Sequence, residues 1–368
     1  MHCAAAMATI PPVVRIRSGA VINERRRIRA GIVGLGAGGG HVHGYNAHPD
    51  ASVVALCDAN EGLLAKRAEE FGVAGTFTDA AAMFASGEVD VVSIATPNAL
   101  HEPLTVAALE AGLHVLCEKP MALNAAQAAR MLETARRVGR KLAIHYNHRM
   151  APNVQAMGRY VVSGELGRVY FVRTVWHRRR GIPAKASFLR FDTAGGGCLI
   201  DLGVHIIDIA LYLAGFPEVV AVSGQTWKNF DEKLVPDLGM EVDDFATAMV
   251  RCADGTIINV EVSWASHHEH AEQMVTAVYG TEAGLTRRVN HYVDTTIVKH
   301  ATEHGNLVDT ELKTMPAKGV TVQQDLVDAI LADREPRCSG EHGLLLMRVL
   351  DALYRSSREG REVRIDEA

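Results

Sequence analysis

The stretch from residue 195 to 208 holds a carboxylate and an imidazole at a spacing that could move a proton. Asp201 and His205 are four residues apart, so a helix would place both side chains on one face, one turn from each other. Oxidation of an alcohol to a ketone needs a hydride acceptor and a base for the hydroxyl proton, and the pKa of histidine suits that task near neutrality. Taken alone, His205 would be interpreted as a structural histidine, so its assignment depends on the motifs around it.

A glycine-rich turn supplies the first of those motifs. Gly34, Gly36 and Gly39 match G-x-G-x-x-G directly after a strand-like run, and such a turn lets the backbone approach a pyrophosphate. Because residues 38–40 are all glycine, the glycine after Gly39 is an alternative for the third position. Asp58 ends the next strand, 24 residues after Gly34, where a carboxylate can accept hydrogen bonds from ribose hydroxyls. A carboxylate there would repel a 2′-phosphate, so the pattern favours NAD over NADP.

Two further polar clusters stand where predicted strands end. The first is Thr96-Pro97-Asn98 with His101, and the second is Glu118-Lys119-Pro120. The prolines end the strands and leave polar side chains at the carboxyl edge of the sheet, where parallel sheets bind ligands. As a bare tripeptide, Glu-Lys-Pro could equally be a solvated loop.

The elements that must position these residues follow from the hydrophobic pattern. From residue 28 to residue 146 short, continuously apolar runs alternate with helical runs, which predicts a parallel sheet covered by helices on both faces. After Pro152 long runs alternate with period two, for example residues 168–177 and 256–265, which indicates a sheet with one covered face. Two helices, at about 321–333 and 343–358, are predicted to end the chain.

The predicted fold class is therefore α/β, an N-terminal doubly wound Rossmann sheet followed by an α+β domain with a large, mostly antiparallel sheet. The boundary is placed near residue 150. The predicted parts are an N-terminal extension over residues 1–28, an NAD-binding domain over 29–150 and a substrate and oligomerisation domain over 151–368.

Composition excludes several classes of function. The chain has 368 residues, 48% of them hydrophobic and 22% charged, with a net charge of -5, which argues against disorder and against a nucleic-acid-binding surface. Its six cysteines form no C-x-x-C pair, so neither a disulfide framework nor a thiolate zinc site is indicated. No uninterrupted apolar run reaches the roughly 18 to 20 residues that cross a bilayer, and the first residues lack an export-signal pattern. We expect a cytoplasmic protein without membrane or nucleic-acid partners.

Taken together, the motifs resemble the Gfo/Idh/MocA oxidoreductase family. The resemblance runs from about residue 29 to 358 and is carried by the glycine turn, Thr96-Pro97-Asn98, Glu118-Lys119-Pro120 and the Gly-Gly-x-x-x-Asp-x-Gly-x-His stretch ending at His205. Later stretches agree, among them Val242-Asp243-Asp244.

The resemblance implies a role for each matched residue. Lys119 would lie beside the nicotinamide and the substrate hydroxyl, Asp201 would hold substrate, and His205 would be the acid/base. A lysine in a closed site has its pKa lowered by desolvation and can polarise or deprotonate a hydroxyl, so Lys119 and His205 both remain candidates for the proton acceptor. Glu118 would contact the ribose side of the cofactor and Asn98 the pyrophosphate, with Thr96 and His101 in the same cofactor-binding set.

Substrate contacts are expected from two stretches. The resemblance includes Asn147 and Arg149, just after the last Rossmann strand, and Arg178 begins a basic triplet that could bind sugar hydroxyls or a carboxylate, or could simply be solvated surface. The histidines at 267, 268 and 270 lack a second ligand group at defined spacing, so no metal is predicted.

The leading hypothesis is an NAD-dependent dehydrogenase that oxidises a secondary hydroxyl of a sugar, cyclitol or glycoside, or reduces the ketone in reverse. Two alternatives stay open: an enzyme of the same fold that recycles a tightly bound NAD during glycoside cleavage or epimerisation, and a non-catalytic metabolite sensor. A large sheet with one open face also predicts a homo-oligomer formed through the C-terminal sheet.

Overall fold

The fold is described by a computed structural model that covers residues 27–290, 294–313 and 319–367. The predicted N-terminal extension over residues 1–28 lies outside this part of the chain except for its last two residues.

The first half of the chain alternates strands with helices. The six strands are β1 (Ile28–Val33), β2 (Ala51–Cys57), β3 (Gly75–Phe77), β4 (Val91–Ile94), β5 (His114–Cys117) and β6 (Leu142–Ile144). The helices between them are α1 (Gly39–Asn46), α2 (Glu61–Phe71), α3 (Ala80–Ala85), α4 (His101–Glu110) and α5 (Ala125–Val138).

These strands form one parallel sheet in the order β3-β2-β1-β4-β5-β6. This is the strand order of a dinucleotide-binding doubly wound sheet, whose ligand crevice lies at the carboxyl ends of β1 and β4. All four residues of β4 are buried, as expected for a strand covered on both faces. Local sequence sets the helix ends: the Asn60 side chain caps α2, and Gly72 ends it in a left-handed conformation with φ 65°.

The second half is built on a larger sheet. Its strands are β7 (Val169–Arg178), β8 (Val219–Trp227), β9 (Phe245–Cys252), β10 (Ile257–Ser263), β11 (Glu272–Gly280), β12 (Ala283–Asn290), β13 (Asp294–Glu303), β14 (Asn306–Glu311) and β15 (Val363–Arg364). The order is β14-β13-β12-β11-β7-β10-β9-β8-β15, and every pair is antiparallel except β7 with β10. The predicted fold class is confirmed.

Six helices belong to the described part of the second half of the chain. They are α6 (Pro152–Val162), α7 (Phe191–Ala194), α8 (Val204–Leu213), α9 (Asp231–Leu234), α10 (Val322–Leu331) and α11 (Gly340–Glu359). Two of them, α8 and α11, pack on the large sheet. The helix α10 packs on α1, β5 and β6, whereas α11 packs on both β8 and α5. Of the two final helices, which the sequence placed with the second domain, α10 therefore packs on the first sheet and α11 connects the two sheets.

The apolar segment Phe191–Leu213 has the length and composition of a membrane span, but 89% of its most apolar window is buried inside the fold. Of this segment, α8 is buried at nine of its ten positions, since it lies between the large sheet and the rest of the core. Its hydrophobicity is explained by this packing.

Candidate active site

The glycine-rich turn between β1 and α1 needs glycine at two positions. Gly34 has φ +89°, and a Cβ there would lie 2.5 Å from the Ala95 carbonyl oxygen. A Cβ on Gly38 would lie 2.2 Å from the Gly34 oxygen, so Gly38 is the glycine that allows close packing of α1. Gly39, the predicted third glycine of the motif, would place its Cβ at an ordinary 3.5 Å from Arg67, so the packing requires glycine at Gly38, and the phosphate contact of Gly39 stays a prediction. The three adjacent glycines hid this difference, because all of them satisfy the pattern.

Asp58 lies immediately after β2 and faces the turn. Its Oδ2 accepts a hydrogen bond from the Leu35 N–H at 2.8 Å, and its Oδ1 accepts one from the Asn60 N–H at 2.9 Å. These two bonds fix a half-exposed carboxylate at the edge of the turn. A Cβ on Gly36 would meet no atom within 4 Å, so the backbone there is open to an approaching ligand. The open turn beside a fixed carboxylate fits the pyrophosphate and the adenosine ribose of a dinucleotide.

The loops after β4 and β5 are joined by His101. This fully buried ring places its nitrogens 2.7 Å from the Pro120 carbonyl oxygen and 2.9 Å from that of Thr96, and burial lowers its pKa. Its side chain therefore orders the two loops, and the cofactor contact that the sequence predicts for His101 stays a prediction. Asn98 reaches across to the second domain, where its Nδ2 donates to the Ala194 carbonyl oxygen at 2.9 Å.

Glu118 is held by two imidazoles. Its Oε1 lies 2.9 Å from His41 Nε2 and 2.7 Å from His145 Nδ1, and its Oε2 accepts from the Lys119 N–H at 3.0 Å. Burial favours the neutral acid, but His145 and His41 outweigh it and hold the pKa of Glu118 well below its usual value. Gln323 Nε2 lies 3.2 Å from His145 Nε2, which extends the network to α10.

Among the described residues, His41, Glu118 and His145 are the grouping that could hold a metal, since their ligand atoms lie within 4.8 Å of one another. The distances of 2.7 and 2.9 Å are those of hydrogen bonds. They are shorter than the roughly 3.3 Å between ligand atoms of a tetrahedral zinc site with 2.0 Å bonds. The triad is therefore described as a hydrogen-bonded network, and we propose no metal for it.

Lys119 and Asp201 meet across the two domains. Lys119 Nζ lies 2.9 Å from Asp201 Oδ1 and 3.0 Å from the Asp201 carbonyl oxygen, while Trp264 Nε1 donates to Asp201 Oδ2 at 3.0 Å. Burial raises the pKa of Asp201, but the Lys119 ammonium and the Trp264 N–H outweigh it, so the pKa is lowered and the carboxylate stays ionised. Both carboxylate oxygens thus have a fixed donor.

The segment that carries Asp201 is anchored at its start. The buried carboxylate of Asp243 accepts the backbone N–H groups of Gly197 and Leu199, both at 2.9 Å. A Cβ on Gly197 would lie 1.9 Å from the backbone carbonyl oxygen of Asp243, so only glycine fits there. The sequence predicted an α-helix through Asp201, but Leu199–Gly203 is π-helical and α8 begins at Val204.

His205, the third residue of the predicted catalytic set, lies in the first turn of α8. It is 6% exposed, and its Nδ1 has no hydrogen-bond partner among the described residues. Burial, followed by the charge of Lys119, holds the pKa of His205 well below its usual value, so the imidazole is neutral near neutrality. Its ring centroid lies 4.4 Å from that of His148 and 5.9 Å from that of Trp176.

Most of the predicted site residues line one main cleft of about 700 Å³ between the two domains. They are Gly34, Gly36, Asp58, Thr96, Asn98, His101, Glu118, Lys119 and Asp201. Glu118 also lines an adjoining side cavity of about 510 Å³, in which Asn147 lies.

The predicted substrate residues Arg149 and Arg178 differ in burial and in their hydrogen-bond partners. Arg149 is 1% exposed; its Nε donates to Asp208 Oδ2 at 2.9 Å and its Nη1 binds the Arg337 carbonyl oxygen. Arg149 therefore stabilises the core, and we withdraw it from the substrate set. Arg178 lies over the Trp176 ring, its Nε donates to Glu272 at 2.8 Å, and its charge contributes to the lowered pKa of Asp201.

Three residues of the site were missed from the sequence. Trp264 stands one position after β10, His148 is in the stretch that also gave Asn147, and His41 follows the glycine turn. Each was inside a segment that the sequence singled out, but nothing in the local pattern shows that Trp264 reaches Asp201 or that His148 stacks on His205. These contacts join residues 63 and 57 positions apart, respectively.

Two family models match the two halves of this chain. The family model of an oxidoreductase family with an NAD-binding Rossmann fold matches residues 28–146, and the model of the GFO/IDH/MocA C-terminal domain matches residues 154–286. D-glucoside 3-dehydrogenase of Escherichia coli strain K12 is 32% identical over 350 residues, which cover 92% of this chain and 97% of that protein.

Among solved structures, aldose-aldose oxidoreductase from Caulobacter crescentus, complexed with glycerol, is 28% identical with a TM-score of 0.80, covering 92% of this chain and all of that one. Levoglucosan dehydrogenase in complex with NADH is 25% identical with a TM-score of 0.83, covering 93% of this chain and 100% of that one. With both halves matched by their family models, this chain belongs to the Gfo/Idh/MocA family of oxidoreductases.

Proposed function

We propose that this protein is an NAD-dependent dehydrogenase that oxidises a secondary hydroxyl of a sugar, cyclitol or glycoside, or reduces the corresponding ketone. The observation that carries the proposal is the Lys119–Asp201 pair, with Nζ and Oδ1 2.9 Å apart, at the wall of the cleft that the glycine turn and Asp58 also line. D-glucoside 3-dehydrogenase, at 32% identity, supports the substrate class.

In this proposal, bound NAD supplies the hydride acceptor, and the chain's own residues orient the substrate and move the proton. The turn at Gly34 and Gly36 would hold the pyrophosphate, Asp58 the adenosine ribose and Glu118 the other ribose. Asp201 would orient the substrate hydroxyl, with its two oxygens fixed by Lys119 and Trp264.

The proton is proposed to go to His205. The ammonium group of Lys119, paired with Asp201, can polarise a hydroxyl and stabilise the negative charge that develops on its oxygen. The imidazole of His205 has a ring nitrogen, Nδ1, without a hydrogen-bond partner among the described residues, so this nitrogen is free to accept a proton. We therefore assign the proton acceptor to His205 and the electrostatic role to Lys119.

NAD is proposed over NADP because of Asp58. Its carboxylate is fixed at the turn by the Leu35 and Asn60 N–H groups, where it would repel a 2′-phosphate. Asp58→Asn keeps an oxygen acceptor for Leu35 while removing the charge. We expect this variant to bind NAD about tenfold more weakly and NADP more tightly, as measured by quenching of tryptophan fluorescence. Unchanged affinities for both would contradict the assignment.

The first experiment is to mix the purified protein with NAD and a panel of sugars, inositols, sugar acids and glycosides, and to follow NADH absorbance. NADP is run in parallel. We expect NADH with one substrate class, and expect Lys119→Ala and His205→Ala to bind NAD but lose turnover. Full activity in both variants would refute the assignment.

A second candidate is an enzyme that keeps NAD bound and recycles it internally. The 28% identical aldose-aldose oxidoreductase, whose name describes exchange between two sugars, favours this alternative. Such an enzyme would show no net NADH, and denaturation would release NAD from the purified protein. If no NADH forms and denaturation releases no NAD, the non-catalytic sensor is favoured instead.

Assembly and location are also proposals. The outer face of the large sheet carries aromatic pairs, Phe171 with Tyr279 at 5.5 Å and Trp227 with Phe245 at 5.6 Å, which support a homo-oligomer formed through this sheet. Size-exclusion chromatography that gave a monomer would count against it. The described cysteines are all free and buried, which supports the proposed cytoplasmic location.

A further inference from the structure

Arg287, on the strand β12, is a buried cation for which the described residues provide no ion-pair partner. Its side chain is on the inner face of the large sheet and is 4% exposed, whereas its neighbour Arg288 is exposed on the outer face. Within the part of the chain that the structure describes, Arg287 forms no ion pair and its Nε has no hydrogen-bond partner. Burial alone lowers its pKa, to about 10, so the guanidinium remains charged at neutral pH.

Such a charge is strongly unfavourable in a protein interior unless something compensates it. The Lys119 ammonium has Asp201 and the Arg178 guanidinium has Glu272, so the nearby carboxylates of the site are already engaged by other cations. Arg287 is therefore the cation in this region that the described residues leave uncompensated.

The sheet register places Arg287 in a polar row. Thr276 of β11 lies opposite Arg287, and Thr174 of β7 lies opposite Thr276. Both threonines are buried, and Thr174 Oγ1 has no hydrogen-bond partner among the described residues. The next row is apolar, since Val289, Met274 and Trp176 are paired across the same three strands. A row of hydroxyls and a guanidinium in such surroundings indicates a ligand with polar groups of its own.

This row adjoins the proposed catalytic residues. Trp176 is two positions along β7 from Thr174, and its ring lies 5.2 Å from His148 and 5.9 Å from His205. After burial, Arg287 is the largest influence that lowers the pKa of His148, ahead of Lys119. The His148 ring itself lies 4.4 Å from that of His205, so the charge of Arg287 acts on a histidine that contacts the proposed proton acceptor.

We infer that the substrate is an acidic sugar, a sugar acid or a glycosiduronate, whose carboxylate binds the Arg287 guanidinium while its reacting hydroxyl faces His205. A carboxylate matches the guanidinium because two parallel N–H···O bonds can form, and Thr174 can donate a third. One uncompensated positive charge suits a monoanion, whereas a phosphate dianion would bring a second charge without a cation to balance it. This inference rests on the proposed function for the reaction, but the anion site can be tested by binding alone.

The test uses matched pairs of ligands in the presence of NAD. Methyl β-D-glucuronide is compared with methyl β-D-glucoside, and methyl α-D-galacturonide with methyl α-D-galactoside, so that each pair differs only in the carboxylate. Glucose 6-phosphate is a third arm. Two quantities are measured, the rise in Tm on ligand binding and the kcat/KM for NADH formation.

The variants are Arg287→Met, which removes the charge, and Arg288→Met, the matched control on the opposite face of the same strand. We expect the wild type to prefer a uronide over its neutral partner by about 10- to 100-fold, the effect of hydrogen bonds to a charged group. Arg287→Met should lose this preference, and Arg288→Met should keep it. Without ligand, Arg287→Met should have a Tm no lower than that of the wild type, because an unpaired buried charge is removed. If Arg287→Met does not fold, Arg287→Lys should retain part of the preference.

Two results would overturn the inference. The first is equal binding of uronides and neutral glycosides to the wild type, with Arg287→Met unchanged. The second is tighter binding of glucose 6-phosphate than of either uronide, which would replace the carboxylate by a phosphate. If uronides raise the Tm through Arg287 but no sugar yields NADH, the proposed dehydrogenation fails and the anion site stands. If neutral sugars yield NADH equally well in the wild type and in Arg287→Met, the proposed dehydrogenation stands and the anion site fails.

Discussion

Replacement of Asp201 by asparagine tests the central contact of the site. The two carboxylate oxygens accept from different donors, Oδ1 from Lys119 at 2.9 Å and Oδ2 from Trp264 at 3.0 Å. An amide has one oxygen, so in Asp201→Asn one of these donors must face an NH₂ group. Both partners of the ion pair are about one-fifth exposed and Trp264 is fully buried, so water replaces the lost acceptor poorly.

Losing one charge-assisted hydrogen bond and leaving one buried donor without an acceptor together cost about 3 kcal/mol. We expect kcat/KM to fall about 100-fold, because the Lys119–Asp201 pair is proposed to stabilise the negative charge that develops on the substrate oxygen in the transition state. The assay is NADH formation with the best substrate of the panel, with the Kd for NAD measured separately by fluorescence. Asp309→Asn, which changes an exposed carboxylate on the edge strand β14, is the control.

A kcat/KM within threefold of the wild type in Asp201→Asn would refute the reasoning, since it would show that the ionised form is not needed. A large loss of NAD affinity in the same variant would also contradict it, because Asp201 would then be organising the cofactor cleft rather than the reaction.

Three other predictions follow from the same contacts. Gly38→Ala should lower the free energy of unfolding by about 1–3 kcal/mol and weaken NAD binding, since its Cβ would lie 2.2 Å from the Gly34 oxygen. The control is Gly40→Ala, whose Cβ would meet no atom within 4 Å and which should bind NAD normally. Equal NAD binding by both variants would contradict the turn geometry. Arg149→Met leaves the buried Asp208 carboxylate unpaired and should lower the free energy of unfolding by about 3–5 kcal/mol in urea titrations; a loss below about 1 kcal/mol would mean that the pair is not structural. Burial, then Arg287 and Lys119, lower the pKa of His148 to about 4. The unfolded chain, with a pKa of about 6.5, therefore binds one more proton as the pH falls from about 6.5 to 4, and stability is lost in that window. His148→Met should reduce the loss between pH 7.5 and pH 5 by about 2 kcal/mol, and an unchanged loss would show that His148 does not titrate this way.

Much of the fold was predictable because its determinants are local. Continuous apolar strands separated by capped helices specify a parallel sheet, and the period-two runs after Pro152 specify a sheet with one covered face. The strand ends at Asp58, Thr96 and Glu118 were placed correctly at the cleft, since the carboxyl ends of parallel strands share one edge.

Other features depended on packing that the local pattern does not encode. The helix through Asp201 is π-helical, and its start is fixed by Asp243, more than forty residues further along the chain. Arg149 looked like a substrate ligand because it stands beside Asn147 after a strand, but the fold turns it into the core toward Asp208. The position of Arg149 next to the Asn147 stretch does not determine whether its side chain points into the cleft or into the core.

The sequence by itself therefore determined the class of the protein: the order of its elements, the glycine turn with Asp58, and the residue types that can exchange a proton with a hydroxyl. Local propensity and hydrophobic period fix these properties over a few residues. The tertiary structure decided the rest: that Lys119 is paired with Asp201 from the other domain, that His205 is buried and neutral, and that Arg287 is a buried charge with no ion-pair partner among the described residues. The physical reason is that ionisation and hydrogen bonding depend on what surrounds a group in space, and those surroundings come from segments far apart in the chain.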